Sequence, residues 1–159
     1  KLATMNKENA ALKEKLLEAE RYKRQWNLRL SGLKEQEGEN LRKRAEHLLS
    51  RILAQWANQA EDVINTIHQV GKKDGWSRQV ILQFTRKRHR ETVWNMTKDS
   101  AVCKEQGLRF AQDFIKENRL AREELWPKIT KARSQGKVAF YRGHVAVING
   151  KVIKASSPF

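Results

Sequence analysis

The sequence predicts an α+β chain in three parts: an N-terminal parallel coiled coil over residues 1–25, a β-α-β-β-α-β domain over 26–114, and a small helix-plus-sheet domain over 115–159. Three observations predict it. Residues 2–24 repeat apolar positions at a 3–4 spacing. The middle of the chain switches between period-2 and helix-period segments. The last part carries Asn149-Gly150 between two β-rich runs, a strong hairpin signal.

The first segment contains neither Gly nor Pro and is rich in Ala, Leu, Glu and Lys, all good helix formers. With Leu2 as heptad position a, Met5 is d, Asn9 a, Leu12 d, Leu16 a and Ala19 d. Glu8 at g then faces Lys13 at the following e of a parallel strand, and Lys15 faces Glu20 with the signs reversed. Asn9 in the seam favours one register at some cost in stability. The alternative is a lone amphipathic helix docked on its own domain.

The pattern changes at Gln25. Residues 26–33 alternate and end in polar residues and Gly32, which reads as a strand. Asn40 can cap a helix whose apolar face is Leu41, Ala45, Leu48, Leu49, Ile52, Leu53 and Trp56. Val63 to Val70 reads as a second strand, followed by a basic turn over residues 71–75. Gln79 to Thr85 reads as a third strand, with Val80, Leu82 and Phe84 on one face. A basic helix is expected from Arg86 to Lys98, with Val93, Trp94 and Met96 as core candidates, and a fourth strand from Leu108 to Phe114. In the last part, Asn118 can cap a helix to Ser134 that turns Leu120 or Ala121, Leu125, Ile129 and Ala132 inward. Gly136 stops it, and three short strands follow.

The charge narrows the choice of partner. Among 159 residues, 33 Lys and Arg outnumber 18 Asp and Glu, for a net charge of +15 and a pI near 10.2. The excess recurs in blocks, which points to a polyanion rather than to solubility alone. Cys103 is the sole cysteine, so neither an intrachain disulfide nor a thiolate cluster is available, and a reducing compartment is implied. No apolar run approaches the roughly 18–20 residues that cross a bilayer. A membrane-surface role is disfavoured because the basic helices lack a broad exposed aromatic face.

Catalytic patterns are missing. His47, His68, His89 and His144 have no metal-ligand spacing, Gly136 and Gly143 belong to no phosphate loop, and Cys103 has no evident base. The expectation is therefore no enzyme, no metal and no cofactor. The β-α-β-β-α-β order is the split ferredoxin-like order of RNA-recognition domains. Yet the aromatic third-strand signature is absent: the run is Val80-Ile81-Leu82-Gln83-Phe84. Cationic contacts to phosphate must then do more than stacking on the sheet.

Residues 22–33, Tyr-Lys-Arg-Gln-Trp-Asn-Leu-Arg-Leu-Ser-Gly-Leu, run a basic helix end into an N-L-R-hydrophobic-x-G-hydrophobic string. With residues 79–85, 108–114, 120–123 and 136–140 in the same order, the chain resembles the first-open-reading-frame protein of LINE-type retrotransposons. The resemblance covers nearly the whole chain. It implies a coiled-coil homotrimer, a non-standard RNA-recognition domain and an adjoining C-terminal nucleic-acid-binding domain. It further implies a chaperone that coats the element's RNA in cytoplasmic ribonucleoprotein particles and supports target-primed reverse transcription, with single-stranded RNA and DNA as partners.

Carried over position by position, the resemblance assigns nucleic-acid contacts to Arg24 and Arg29 at the first junction, Arg78 before the third strand, Lys98 at the end of the second helix and Arg122 in the C-terminal helix. Lys72 and Lys73 stand for an Arg-rich loop, shortened here. Arg109 and Lys137 lie within the matching strings, and Tyr141 beside Arg142 is the best stacking candidate. Departures are Gln83 in place of a strand arginine, Ser134-Gln135 in place of a Tyr-Pro pair, and no C-terminal extension. The run Arg86-Lys87-Arg88-His89-Arg90 could bind RNA or serve nuclear import. Trp56, Trp76, Trp94 and Trp126 read as core or domain-contact residues. The competing function is a coiled-coil assembly module whose basic surface is incidental.

Overall fold

The computed structural model describes residues 1–34, 40–56, 58–71 and 78–156. The chain is α+β, with a long N-terminal helix and two antiparallel sheets. It divides into two compact units: Lys1–Tyr22 with Phe114–Phe159, and Lys23–Asp113. Residues 72–75 of the expected basic turn, with Lys72 and Lys73, and Trp76 after it lie outside the described residues.

Helix α1 spans Leu2–Arg24, as its composition predicts. Its seam residues Leu2, Met5, Leu12 and Leu16 are 59 to 72 % exposed, whereas Leu17, outside the seam, is the buried one. The single chain therefore leaves the heptad stripe uncovered.

In the second unit, β1 (Asn27–Ser31) pairs antiparallel with both β3 (Gln79–Phe84) and β4 (Arg109–Gln112). Strand β2 (Ile64–Val70) adds to the far side of β3, giving the order β2-β3-β1-β4. Alternation sends Leu28, Leu30, Val80, Leu82, Phe84 and Phe110 to one face. There they meet Ala45, Leu48 and Leu49 of α2 (Leu41–Ile52) and Val93 of α4 (Lys87–Thr97). Asn40 caps α2 as expected, accepting a hydrogen bond from the Lys43 N–H at 3.2 Å. The opposite sheet face carries Asn27, Arg29, Ser31, Thr66, His68, Gln79, Gln83 and Arg109, with Val70, Ile81 and Ala111 as its apolar residues.

Some boundaries differ from the sequence expectation. The helix expected to reach Trp56 leaves α geometry at Leu53, and a 3-10 turn over Ala54–Trp56 follows. That break buries both Leu53 and Trp56 in the core. Val63 closes a one-turn helix, α3 (Ala60–Val63), and the strand begins one residue later. A helix absent from the sequence reading, α5 (Ala101–Gln106), is capped by the Ser100 hydroxyl and ends at Gly107. Met96, a core candidate, is 48 % exposed.

In the first unit, α6 (Lys116–Ser134) lays Leu125, Ile129 and Ala132 against Ala139 and Ala146 of a three-stranded sheet. The strands are β5 (Ala139–Arg142), β6 (Val145–Ile148) and β7 (Lys151–Ile153), in sequence order. Asn149 and Gly150 both have positive φ, 49° and 78°, the backbone of the type I′ turn that Asn-Gly predicts. Asn118 does not cap α6. Ile115 occupies that place without a side-chain cap, and Asn118 is buried inside the first turn, accepting a 2.7 Å bond from Arg21 Nε on α1.

Candidate nucleic-acid interface

One stripe of α6 borders its apolar face and overhangs the edge of the sheet. Arg119, Arg122, Trp126 and Arg133 recur along it at helical spacing. The Arg122 guanidinium carbon lies 3.8 Å from the Tyr141 ring centroid and 4.6 Å from that of Phe114. Its Nη1 donates to the Gly143 carbonyl at 2.8 Å, and the Tyr141 hydroxyl donates back to the Arg122 carbonyl at 2.7 Å. Trp126 stacks on Tyr141 with centroids 6.1 Å apart and planes 19° from parallel. Arg133 extends the series, 5.8 Å from the Trp126 ring and bonded through Nε to the Ala139 carbonyl at 3.0 Å.

Phe114, Arg122, Trp126 and Tyr141 line an open cleft of about 400 Å³, completed by Arg119 and Glu123. Partial burial pulls the Arg122 pKa down, and the nearby Tyr141 opposes the shift. Arginine starts so high that Arg122 remains a cation at neutral pH. A cation held between aromatic faces, with a second aromatic alongside, can take a phosphate on the guanidinium edge and a base on an open ring face. Glu123 puts one carboxylate in the lining, but the chain that follows is basic: residues 125–159 hold seven Lys or Arg and no Asp or Glu.

Arg122 and Tyr141, both singled out in the sequence, thus meet in this cleft. Trp126 was read as a core or contact residue; its 47 % exposure and its place against Tyr141 make it part of the surface instead. Phe114 was also missed. The signal for Trp126 lies in its i, i+4 spacing from Arg122, with Arg119 and Arg133 each seven residues from it; Phe114 precedes α6 and has no such signal.

The other candidates fall elsewhere. Arg24, at the end of α1, and Arg29, on β1, converge on the carboxylate of Asp113 at 3.4 and 2.8 Å. Arg78 donates to Gln69 Oε1 at 2.7 Å. Lys98 follows α4 with its Nζ 5.5 Å above the Trp94 ring. Arg109 is exposed on β4 opposite Ser31, and Lys137 is exposed after α6. The basic run splits. Arg86, Lys87 and Arg88 are exposed, but His89 sits edge-on to Trp56 at 5.4 Å and Arg90 donates to the Asn27 carbonyl at 3.2 Å. Burial, then Arg88 and Arg86, lowers the His89 pKa.

Among the described residues, no helix is long and apolar enough to cross a membrane. No family model matches the chain, and no curated protein is significantly similar to it.

Proposed function

We propose that the protein is a single-stranded RNA- and DNA-binding nucleic-acid chaperone of the LINE first-open-reading-frame type. In this reading it coats retrotransposon RNA in cytoplasmic ribonucleoprotein particles and supports target-primed reverse transcription. The observation that carries the proposal is the Arg122 cleft, where a guanidinium contacts two aromatic rings on a surface rich in cations. The strand order β2-β3-β1-β4 supports a ferredoxin-like, RNA-recognition-type domain. Its polar, non-aromatic outer face fits phosphate contact better than base stacking there.

Binding should be strongly salt-dependent. If about eight phosphates are contacted, log affinity for single strands falls with log salt at a slope of about −6. A fluorescence-anisotropy titration of a short single-stranded RNA at several salt concentrations measures it. Affinity that hardly changes between low and physiological salt would sink the proposal.

The uncovered seam of α1 supports self-association as a parallel homotrimer. Changing Leu12 and Leu16 together to Lys should give monomers by light scattering. Loss of multivalency should also weaken binding to long RNA by about 100-fold, with little effect on an RNA short enough for one site. A second reading, an assembly module, is favoured by the pairing of Arg24 and Arg29 with Asp113, which spends basic charge inside the protein. It predicts the same oligomer without salt-dependent RNA affinity.

A further inference from the structure

Asp113 lies just past β4, and its side chain is 2 % exposed. Its Oδ1 accepts from Arg24 Nη1 at 3.4 Å and from Arg29 Nε at 2.8 Å, and its Oδ2 accepts from Asn27 Nδ2 at 2.9 Å. Arg29 is gripped from its other side, where Nη1 donates to Gln79 Oε1 at 2.8 Å. A carboxylate this buried requires charged, hydrogen-bonded partners, so part of its role is structural.

Two features go beyond a structural role. Guanidinium groups that reach the same oxygen are like charges held within a few ångströms of each other, and without the carboxylate they would separate. Both also stay partly open to solvent, at 30 % and 22 % exposure. Asp113 uses only the Nε edge of Arg29 and Gln79 only one Nη1 hydrogen, so Nη2 remains for another acceptor. Two guanidiniums share this one carboxylate, and the unused edge of Arg29 can meet a phosphodiester oxygen.

We infer that Asp113 is a positioning residue. It holds Arg24 and Arg29, from different elements, as one preorganised receptor for a single backbone phosphate. The inference rests on the nucleic-acid reading above. It explains how residues paired inside the protein can still contact RNA: the carboxylate orients the guanidiniums rather than cancelling them, and the ordering cost is met before the ligand arrives.

The sign of the Asp113→Asn effect separates this role from general electrostatics. Removing a negative charge from a protein of net charge +15 should tighten binding to a polyanion. Loss of positioning should weaken binding instead, by about tenfold for a short single-stranded RNA. In an Arg29→Gln background, Asp113→Asn should add little, because its target is already gone. Anisotropy titrations of the whole chain read both, with thermal melts confirming that each variant is folded. Wild-type or tighter binding by folded D113N overturns the inference, as does a tenfold loss that persists in the Arg29→Gln background. If D113N does not fold, Asp113→Glu keeps the charge and displaces the guanidiniums, and unchanged affinity in that variant overturns the inference. Salt-insensitive binding by the wild type would instead remove the nucleic-acid reading itself.

Discussion

Replacing Arg122 by alanine is expected to weaken binding of short single-stranded RNA by about 100-fold at physiological salt. Three losses combine. The phosphate contact disappears, and with it a charge-assisted bond of about 1.5–3 kcal/mol. The cation between Phe114 and Tyr141 goes, so both rings lose one of the contacts that order them, although Tyr141 keeps its hydroxyl bond to the main-chain carbonyl of residue 122 and its stacking on Trp126. Base stacking on these rings, about 1–3 kcal/mol per base, then requires ordering side chains that are ordered beforehand in the wild type. These terms overlap, so an effect of roughly 3 kcal/mol is expected rather than their sum. Lysine should not restore binding, because a point ammonium lacks the planar face that lies 3.8 Å from Tyr141 and the fork that reaches Gly143. Trp126→Ala should give a smaller loss, since Trp126 adds a ring but no charge. Anisotropy measures each variant. Binding by folded R122A within twofold of wild type would exclude the cleft as the principal contact.

Much of the architecture was legible because local signals and burial agree there. Leu48 and Leu49 fall on the buried face of α2 as their spacing requires, and Val80, Leu82 and Phe84 share the buried face of β3. Asn149-Gly150 adopts the positive φ values that its turn demands. The site was less legible, because its defining contacts join residues distant in sequence. Asp113 receives Arg24 and Arg29 from 89 and 84 residues away, and a lone Asp after a strand gives no cue to that. Asn118 had the chemistry of a cap, but a buried bond from Arg21 took its side chain. Trp126 was misread because tryptophan so often lies in cores, while its helical spacing to Arg122 and Arg133 marked it as part of the polar stripe. Helix α5 is too short to show a period, and only its flanking Ser100 and Gly107 announce it.

The glycine in the string after α1 carries the other large expected effect. Gly32 has φ +90°, a conformation that side-chain-bearing residues rarely adopt. A Cβ there would also press well inside van der Waals contact of the Gly107 carbonyl oxygen. That oxygen cannot easily retreat, because Gly107 closes α5 with its own N–H bonded to the Cys103 and Lys104 carbonyls, and the Leu108 N–H bonds to Cys103 as well. The exit of β1 and the end of α5 thus pass backbone against backbone, which only glycine permits. Gly32→Ala is expected to cost about 3–4 kcal/mol, part from φ and the larger part from the clash. For a unit of this size, that lowers the melting midpoint by about 15 °C or more. Gly71→Ala is the matched control. Gly71 has nearly the same φ, +89°, but a Cβ there meets nothing within 4 Å among the described residues, so only about 1 kcal/mol is expected. Thermal unfolding followed by circular dichroism compares the two. Equal shifts would mean that φ alone matters and that the β1–α5 approach relaxes at little cost. A much larger shift for Gly32→Ala ties this glycine to the closure of the sheet that carries Arg29.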